Sequence, residues 1–171
     1  MEQNWRCLGQ LTDRLILGTP GLSCRPPQEK VRAILLDSEG KLALMYEQAA
    51  GLYALPGGGI EPGETPHTAL VRELAEETGC SCRQVQPLGI VTENRAYADT
   101  TRRTYFFLVQ ADAFPAAPQL TPEEQALGTS LHWLPPEEAL SKIRDVVHTD
   151  PQKRFLQARD LAALNAWLSQ G

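Results

Sequence analysis

The chain has 171 residues, the size of one ordinary domain, of which 42% are hydrophobic and 22% charged. That balance excludes a disordered chain, a collagen and a long coiled coil, and the longest apolar runs, at 42–46 and 105–109, fall far short of the roughly 18 residues that cross a bilayer. Sixteen basic against twenty-one acidic residues give a net charge of −5, which removes any general attraction to anionic lipid or nucleic acid and predicts no membrane and no duplex nucleic acid among the partners.

In chain order, Met1-Glu2-Gln3-Asn4-Trp5 carries neither a basic nor an apolar leader, so a cytoplasmic location is the default expectation. A single domain over 1–171 is expected, with 1–28 as an N-terminal extension or edge strand. Residues 31–37 and 41–47 are β-prone runs around Asp37-Ser38-Glu39-Gly40, where Gly40 suits a tight turn, and they read as paired strands. Apolar side chains at Ala33 and Leu35 on one face and Ile34 and Leu36 on the other imply a strand covered on both sides, with helices flanking the sheet. Next, Leu55-Pro56-Gly57-Gly58-Gly59 places three residues without side chains together, which lets backbone approach an ion or ligand closely. A helix of about four turns is predicted from a Thr65 cap and Pro66 to Gly79. Strands are expected near 86–92 and 104–110, with 94–103 as a hairpin loop. Pro115 and Pro118 make 114–121 a surface loop, followed by a strand near 131–134 and a short helix from Pro136 through Ile143. A C-terminal helix over 150–171 is capped by Asp150 and runs to about Leu168, with Leu161, Leu164 and Leu168 expected to face the core. Cys7, Cys24, Cys80 and Cys82 are expected as reduced, buried thiols, since Cys80-Ser81-Cys82 lacks the spacing of common zinc knuckles.

Charge is concentrated in one place. Residues 61–77 hold five acids (Glu61, Glu64, Glu73, Glu76, Glu77) and one base, Arg72. On the predicted helix Glu73, Glu76 and Glu77 stand at i, i+3 and i+4, so their carboxylates share a face within about 6 Å. A solvated acidic face is the plainest account of such spacing. Here, however, Leu70 and Leu74 can anchor the helix to a core, Arg72 is placed to hold Glu76 four residues on, and the glycine turn lies just upstream. Hard oxygen ligands beside such a turn suit Mg2+ or Mn2+ better than zinc.

Taken as one string over 58–80, Gly58, Glu64, Arg72, Glu73, Leu74, Glu76, Glu77 and Gly79 resemble the Nudix box of the Nudix hydrolases (MutT-like pyrophosphohydrolases). Only the final position departs, with Cys80 where the family has an aliphatic residue. The resemblance implies an α/β fold, an α/β/α sandwich with a mixed sheet between helices. It also implies metal-dependent hydrolysis of a small-molecule nucleoside diphosphate derivative, with Mg2+ (or Mn2+) as cofactor. Matching positions in the family make Glu73, Glu76, Glu77 and the Gly57 carbonyl metal ligands, with Arg72 and Glu64 in support. The family often uses a further glutamate outside the box. Glu124 is the first candidate, followed by Glu123 and Glu93, although Thr121-Pro122-Glu123-Glu124 is also a capping box and both roles stay open. Arg95, Arg102 and Arg103 are candidates for phosphate or sugar oxygens, and Tyr97, like Tyr53, for stacking a base. The alternative is a sensor or regulatory Nudix domain that binds without turnover, against which the intact acidic set speaks. An RNA-decapping enzyme is disfavoured by the acidic balance. The sequence leaves open the substrate, a homodimer and the number of metals.

Overall fold

A computed structural model describes residues 4–170. The strand β1 (Cys7–Thr12) runs into the short helix α1 (Asp13–Ile16). After β2 (Gln28–Leu36), β3 (Leu42–Glu47) and β4 (Leu52–Ala54) comes α2 (Pro66–Thr78). The long β5 (Ser81–Arg95) and β6 (Thr100–Ala113) form a hairpin, followed by α3 (Pro122–Ala126), β7 (Thr129–Leu134), α4 (Pro136–Arg144) and α5 (Pro151–Leu168). Met1 to Gln3, the start of the expected N-terminal segment, and Gly171, the end of the expected C-terminal one, lie outside the described residues.

The strands form one mixed sheet in the order β1-β5-β6-β2-β3-β4, with β7 also paired to β3. Strand alternation sends Val31, Ala33 and Leu35 to one face, where they meet Leu70 and Leu74 of α2, and Ile34 to the other, where it meets Ile143 of α4 and Phe155 and Leu164 of α5. The result is an α/β/α sandwich, with both faces of β2 covered as its apolar composition requires.

The expected pairing of the first two β-prone runs is reduced to a single position, Leu36 opposite Leu42. Asp37 closes the turn by accepting the N–H groups of Glu39 and Lys41. The length of β2 pairs in parallel with β6, and its other edge is filled by the glycine segment rather than by β3. The latter pairs with β7 and β4 instead. The hairpin of β5 and β6 is longer than expected, since pairing continues to Arg95 opposite Thr100 and leaves only 96–99 as the loop. Polar side chains near its tip find partners inside the protein, Glu93 with Arg95 among them, so polarity there does not mean a loop.

The helix α2 is capped by Thr65, begins at Pro66 and is closed at Gly79. In α5, Asp150 caps the Lys153 N–H at 2.9 Å. Leu164 is buried and Leu161 packs against the core, but Leu168 is exposed because the buried face, through Phe155, Arg159, Asp160, Ala163 and Leu164, ends before it. All four cysteines are free. Cys80 is buried and Cys82 partly so, whereas Cys7 and Cys24 are exposed, the first on the sheet's edge strand and the second before β2. Among the described residues no helix is long and apolar enough to cross a membrane.

Candidate active site

The glycine segment is fixed by β2 and α5. The N–H groups of Val31 and Ala33 donate to the carbonyls of Gly58 and Pro56 at 2.9 and 3.0 Å. Leu55 is gripped from two sides: its N–H donates to the Asp160 carboxylate at 2.9 Å, and its carbonyl accepts from the Arg32 guanidinium at 2.7 Å. Gly57 has φ of 136°, and a Cβ there would collide with the Val31 carbonyl, so only glycine follows this path. At Gly58 the space of a Cβ is already filled by the Glu73 carboxylate. The loop backbone therefore lies directly against the acidic face of α2.

Arg72 organises that face. Its Nε and Nη2 donate to the two oxygens of Glu64 at 2.8 and 2.9 Å, Nη2 also reaches the Gly59 carbonyl at 2.9 Å, and Nη1 donates to Glu73 at 2.9 Å. Glu76, the expected partner, is 3.5 Å away and the most exposed of the helix carboxylates Arg72 contacts. The bidentate Arg72 contact, then the Glu61 N–H, hold the Glu64 carboxyl down to about 2. Glu73 moves the other way, because burial outweighs the attraction of Arg72. Glu77 accepts the Gly57 N–H at 2.6 Å, yet burial pushes its carboxyl up to about 7 against the pull of Arg32.

The three helix carboxylates share a face as expected but do not close into one shell. Among the described residues no three His, Cys, Asp or Glu groups stand close enough to hold one ion. Glu73 and Glu77 each take an N–H partner instead, the arrangement expected of neighbouring carboxylates that would otherwise repel. The donors nonetheless fit a hard cation. They are carboxylate oxygens beside a backbone that leaves no room for a side chain, and the Gly57 carbonyl, unlike those of Pro56, Gly58 and Gly59, receives no hydrogen bond from the described residues.

These groups line a cavity of about 500 Å3, with Gly57, Gly58, Glu73, Glu76 and Glu77 on one side, Thr121 and Glu124 on another, and Arg32 and Arg159 contributed by β2 and α5. A family model of the NUDIX domain matches residues 26–157. The chain belongs to the Nudix family. A MutT-like protein from Streptomyces ambofaciens is 26% identical over 134 residues, covering 77% of this chain and 80% of that one. An RNA pyrophosphohydrolase from Dinoroseobacter shibae is 35% identical over 69 residues, 39% of this chain and 43% of that one. A NUDIX hydrolase structure from Nitrosomonas europaea superposes with a TM-score of 0.64 at 24% identity over 85% of this chain and 90% of that one, which shows the shared fold.

Outside the Nudix box the predicted residues separate. Glu124 lines the cavity and also completes the capping box, its carboxylate accepting the Thr121 N–H at 2.7 Å. Glu123, Arg95, Arg103, Tyr53 and Tyr97 do not line the cavity. Glu93 and Arg95 form a buried ion pair, with the Arg95 guanidinium 5.1 Å from the Phe155 ring centroid. Arg103 pairs with Glu29 at 3.3 Å. The Tyr53 ring packs on Tyr46 at 4.4 Å, and Tyr97 lies 5.9 Å from Phe155. Arg102 stands on the face of the sheet beneath α5, beside a second hollow with Glu93 and Asn94. Sequence reasoning passed over Arg32 and Arg159. The signals were present: one cation inside the apolar run 31–36, and a charged pair, Arg159-Asp160, inside an otherwise apolar helix stripe.

Proposed function

We propose that this Nudix chain is a divalent-cation-dependent pyrophosphohydrolase that cleaves the phosphoanhydride of a nucleoside diphosphate joined to another moiety, such as a nucleoside triphosphate, a nucleotide sugar or an ADP-ribose-type compound. One observation carries the reading: the glycine backbone at 57–58, the carboxylates of Glu73, Glu76 and Glu77, and Glu124 all face a single cavity of about 500 Å3, a volume suited to a nucleotide-sized ligand. Glu73, Glu76, Glu77 and the Gly57 carbonyl are the proposed ligands of Mg2+ or Mn2+, which when bound supplies charge neutralisation of the diphosphate and a water of lowered pKa.

The chain's own residues do the positioning. Arg72 fixes Glu73 and ties it through Glu64 and the Gly59 carbonyl to the loop. The Gly57 N–H orients Glu77. Glu124 approaches from another element with only one of its oxygens held, by the Thr121 N–H, and is the group we propose to accept the proton of the attacking water. A screen of product formation over nucleoside triphosphates, nucleotide sugars, ADP-ribose and dinucleoside polyphosphates, with Mg2+ or Mn2+, tests the reading. Turnover of at least one class, lost in EDTA, is expected, and no turnover of any class with either metal overturns it.

A further inference from the structure

The one departure from the Nudix box is a thiol, and the fold sets a second thiol beside it. Cys80 and Cys82 flank Ser81 at the start of β5, so strand alternation turns both to one face. Both pack into the apolar cluster that holds Leu70 and Leu74 of α2, Cys80 buried within it and Cys82 at its margin. Register shifts on either side of Cys82 mark a bulged stretch, which re-aims side chains. The Cys82 thiol, as hydrogen-bond partner, holds the Cys80 thiol down to about 7, while Cys82, as the donor, is pushed up. Two residues along a strand span about 6.6 Å. That separation lies near the upper end of the range that disulfides bridge, where the bond is readily reduced again. Neither sulfur lines the catalytic cavity.

The pair is joined to the site through the segment 114–121. Cys82 pairs with Ala111 and Ser81 with Ala113 at the end of β6. The chain then crosses the C-terminal turn of α2, where the Ala116 carbonyl lies so close to Gly79 that a Cβ there would collide with it. The Gln119 N–H donates to the Glu76 carbonyl at 2.6 Å. Two residues on, Thr121 caps α3, which carries Glu124 in the cavity wall. On the other side of the pair, Thr78 Oγ1 accepts the Cys80 N–H at 3.3 Å and donates to the Leu74 carbonyl. Residues 112–119 are exposed, so these few contacts with α2, and that of Phe114 with Trp133, seat the segment.

We propose that Cys80 and Cys82 are a reversible dithiol switch: a disulfide closed between them shifts the start of β5 and unseats the segment 114–121 from α2. On the pyrophosphohydrolase reading, this withdraws Glu124 and slows turnover. The oxidant is a small-molecule disulfide such as glutathione disulfide. With Cys80 as the thiolate, Cys82, the more accessible sulfur, passes its proton along the hydrogen bond to Cys80. The Cys82 thiolate attacks one sulfur of the oxidant, breaking its S–S bond and releasing one glutathione thiolate. That thiolate takes the proton from Cys80, whose sulfur then attacks Cys82, forming the internal bond and releasing the second glutathione as its thiolate. Two electrons pass from the cysteines to the oxidant, which leaves as two reduced molecules.

The test uses the full chain with the two exposed cysteines replaced, Cys7→Ser and Cys24→Ser, so that they cannot react. After treatment with glutathione disulfide the intact mass is expected to fall by that of two hydrogen atoms, with no glutathione attached. Peptide mapping is expected to join Cys80 to Cys82, and dithiothreitol to reverse the change. In the oxidised chain the Gln119 amide is expected to exchange with solvent about tenfold faster, and turnover of whichever substrate the screen finds to fall about tenfold. Cys82→Ser and, independently, Cys80→Val are expected to keep turnover and lose its response to the oxidant. Melting curves identify a variant that fails to fold, and the other then supplies the answer. Glutathione retained on either cysteine, no reaction in the native chain, or an internal bond that leaves Gln119 exchange unchanged overturns the switch. So does an internal bond that leaves the turnover of an active chain unchanged. A chain that closes the bond and loosens Gln119 but turns over nothing in the screen overturns the hydrolase reading and leaves the switch standing.

Discussion

Two glutamates carry the proposed chemistry, and each can be tested singly. Glu77 touches the loop through the Gly57 N–H and lies in the cavity wall, so Glu77→Gln preserves its size and removes its charge. Turnover is expected to fall about a thousandfold, about 4 kcal/mol of transition-state stabilisation, with the fold intact by circular dichroism. A variant keeping a third of the wild-type rate at saturating Mg2+ removes Glu77 from the ligand set. Glu124 is harder to read because it caps α3 and lines the cavity at once. Glutamine also serves at the third position of a capping box, so Glu124→Gln separates the roles. Turnover is expected to drop about a hundredfold while the melting temperature stays put. Unchanged turnover would leave Glu124 as a cap alone.

At the scale of elements, the glycine segment works as an extra strand on β2 and as a floor beneath the acidic face of α2. Its neighbouring glycines serve different ends. At Gly57 both the φ of 136° and the Val31 carbonyl oppose a side chain, and Gly57→Ala is expected to cost about 3 kcal/mol in denaturant unfolding. At Gly58 the obstacle is the end of the Glu73 side chain, which can turn away. Gly58→Ala is therefore expected to shift the unfolding midpoint little but to weaken Mg2+ binding about tenfold in a calorimetric titration, by displacing Glu73 from its Arg72 contact. Equal loss of stability in the two variants would show that the loop cannot yield at either position.

Over the whole molecule, α5 joins the C-terminal segment to the site. Asp160 accepts the Leu55 N–H and the Arg159 Nε while it is 1% exposed. Asp160→Ala strands a guanidinium and a buried N–H, and is expected to lower stability by about 3 kcal/mol or more and to depress turnover through the loop. Normal stability in that variant would mean that the loop is held by β2 alone. Charge and pH are coupled on the same scale. Burial lifts the Glu77 carboxyl from its ordinary 4.5 to about 7, so the metal-free native state holds a proton that the unfolded chain releases. The stability contributed by this group is fully present below about 4.5 and is lost as pH rises through about 7. A bound cation competes with that proton. Millimolar Mg2+ at matched ionic strength is thus expected to raise the melting temperature by about 4 °C near pH 8 and by less near pH 6. The same rise at both pH values would show that Glu77 is not protonated in the metal-free protein.

The local features were legible because their causes are local. Thr65, Pro66 and Gly79 mark the ends of α2 by their own backbone preferences, and helical spacing alone puts Glu73, Glu76 and Glu77 on one face beside a glycine turn. Glu124 could be singled out, but its two roles could not be separated, since a cap is a contact along the chain and a cavity wall is not. What β2 pairs with depends on which segment packs along its edge, and the glycine loop, held at Leu55 by Arg32 and Asp160, lies there in place of β3. Arg95 and Arg102 look alike in sequence, two cations at a hairpin tip, yet one is neutralised by Glu93 and the other has no ion-pair partner among the described residues. Arg32 and Arg159 are 127 positions apart, and only the packing of α5 over the sheet brings both into the cavity wall. Periodicity and capping are set within a few residues of the chain, which is why the helix of the box and its acidic face could be read without the fold. Charge balance and cavity lining are set by side chains that meet across layers, and so they follow from the packing of α5 on the sheet, which brings Arg32 and Arg159 to one wall.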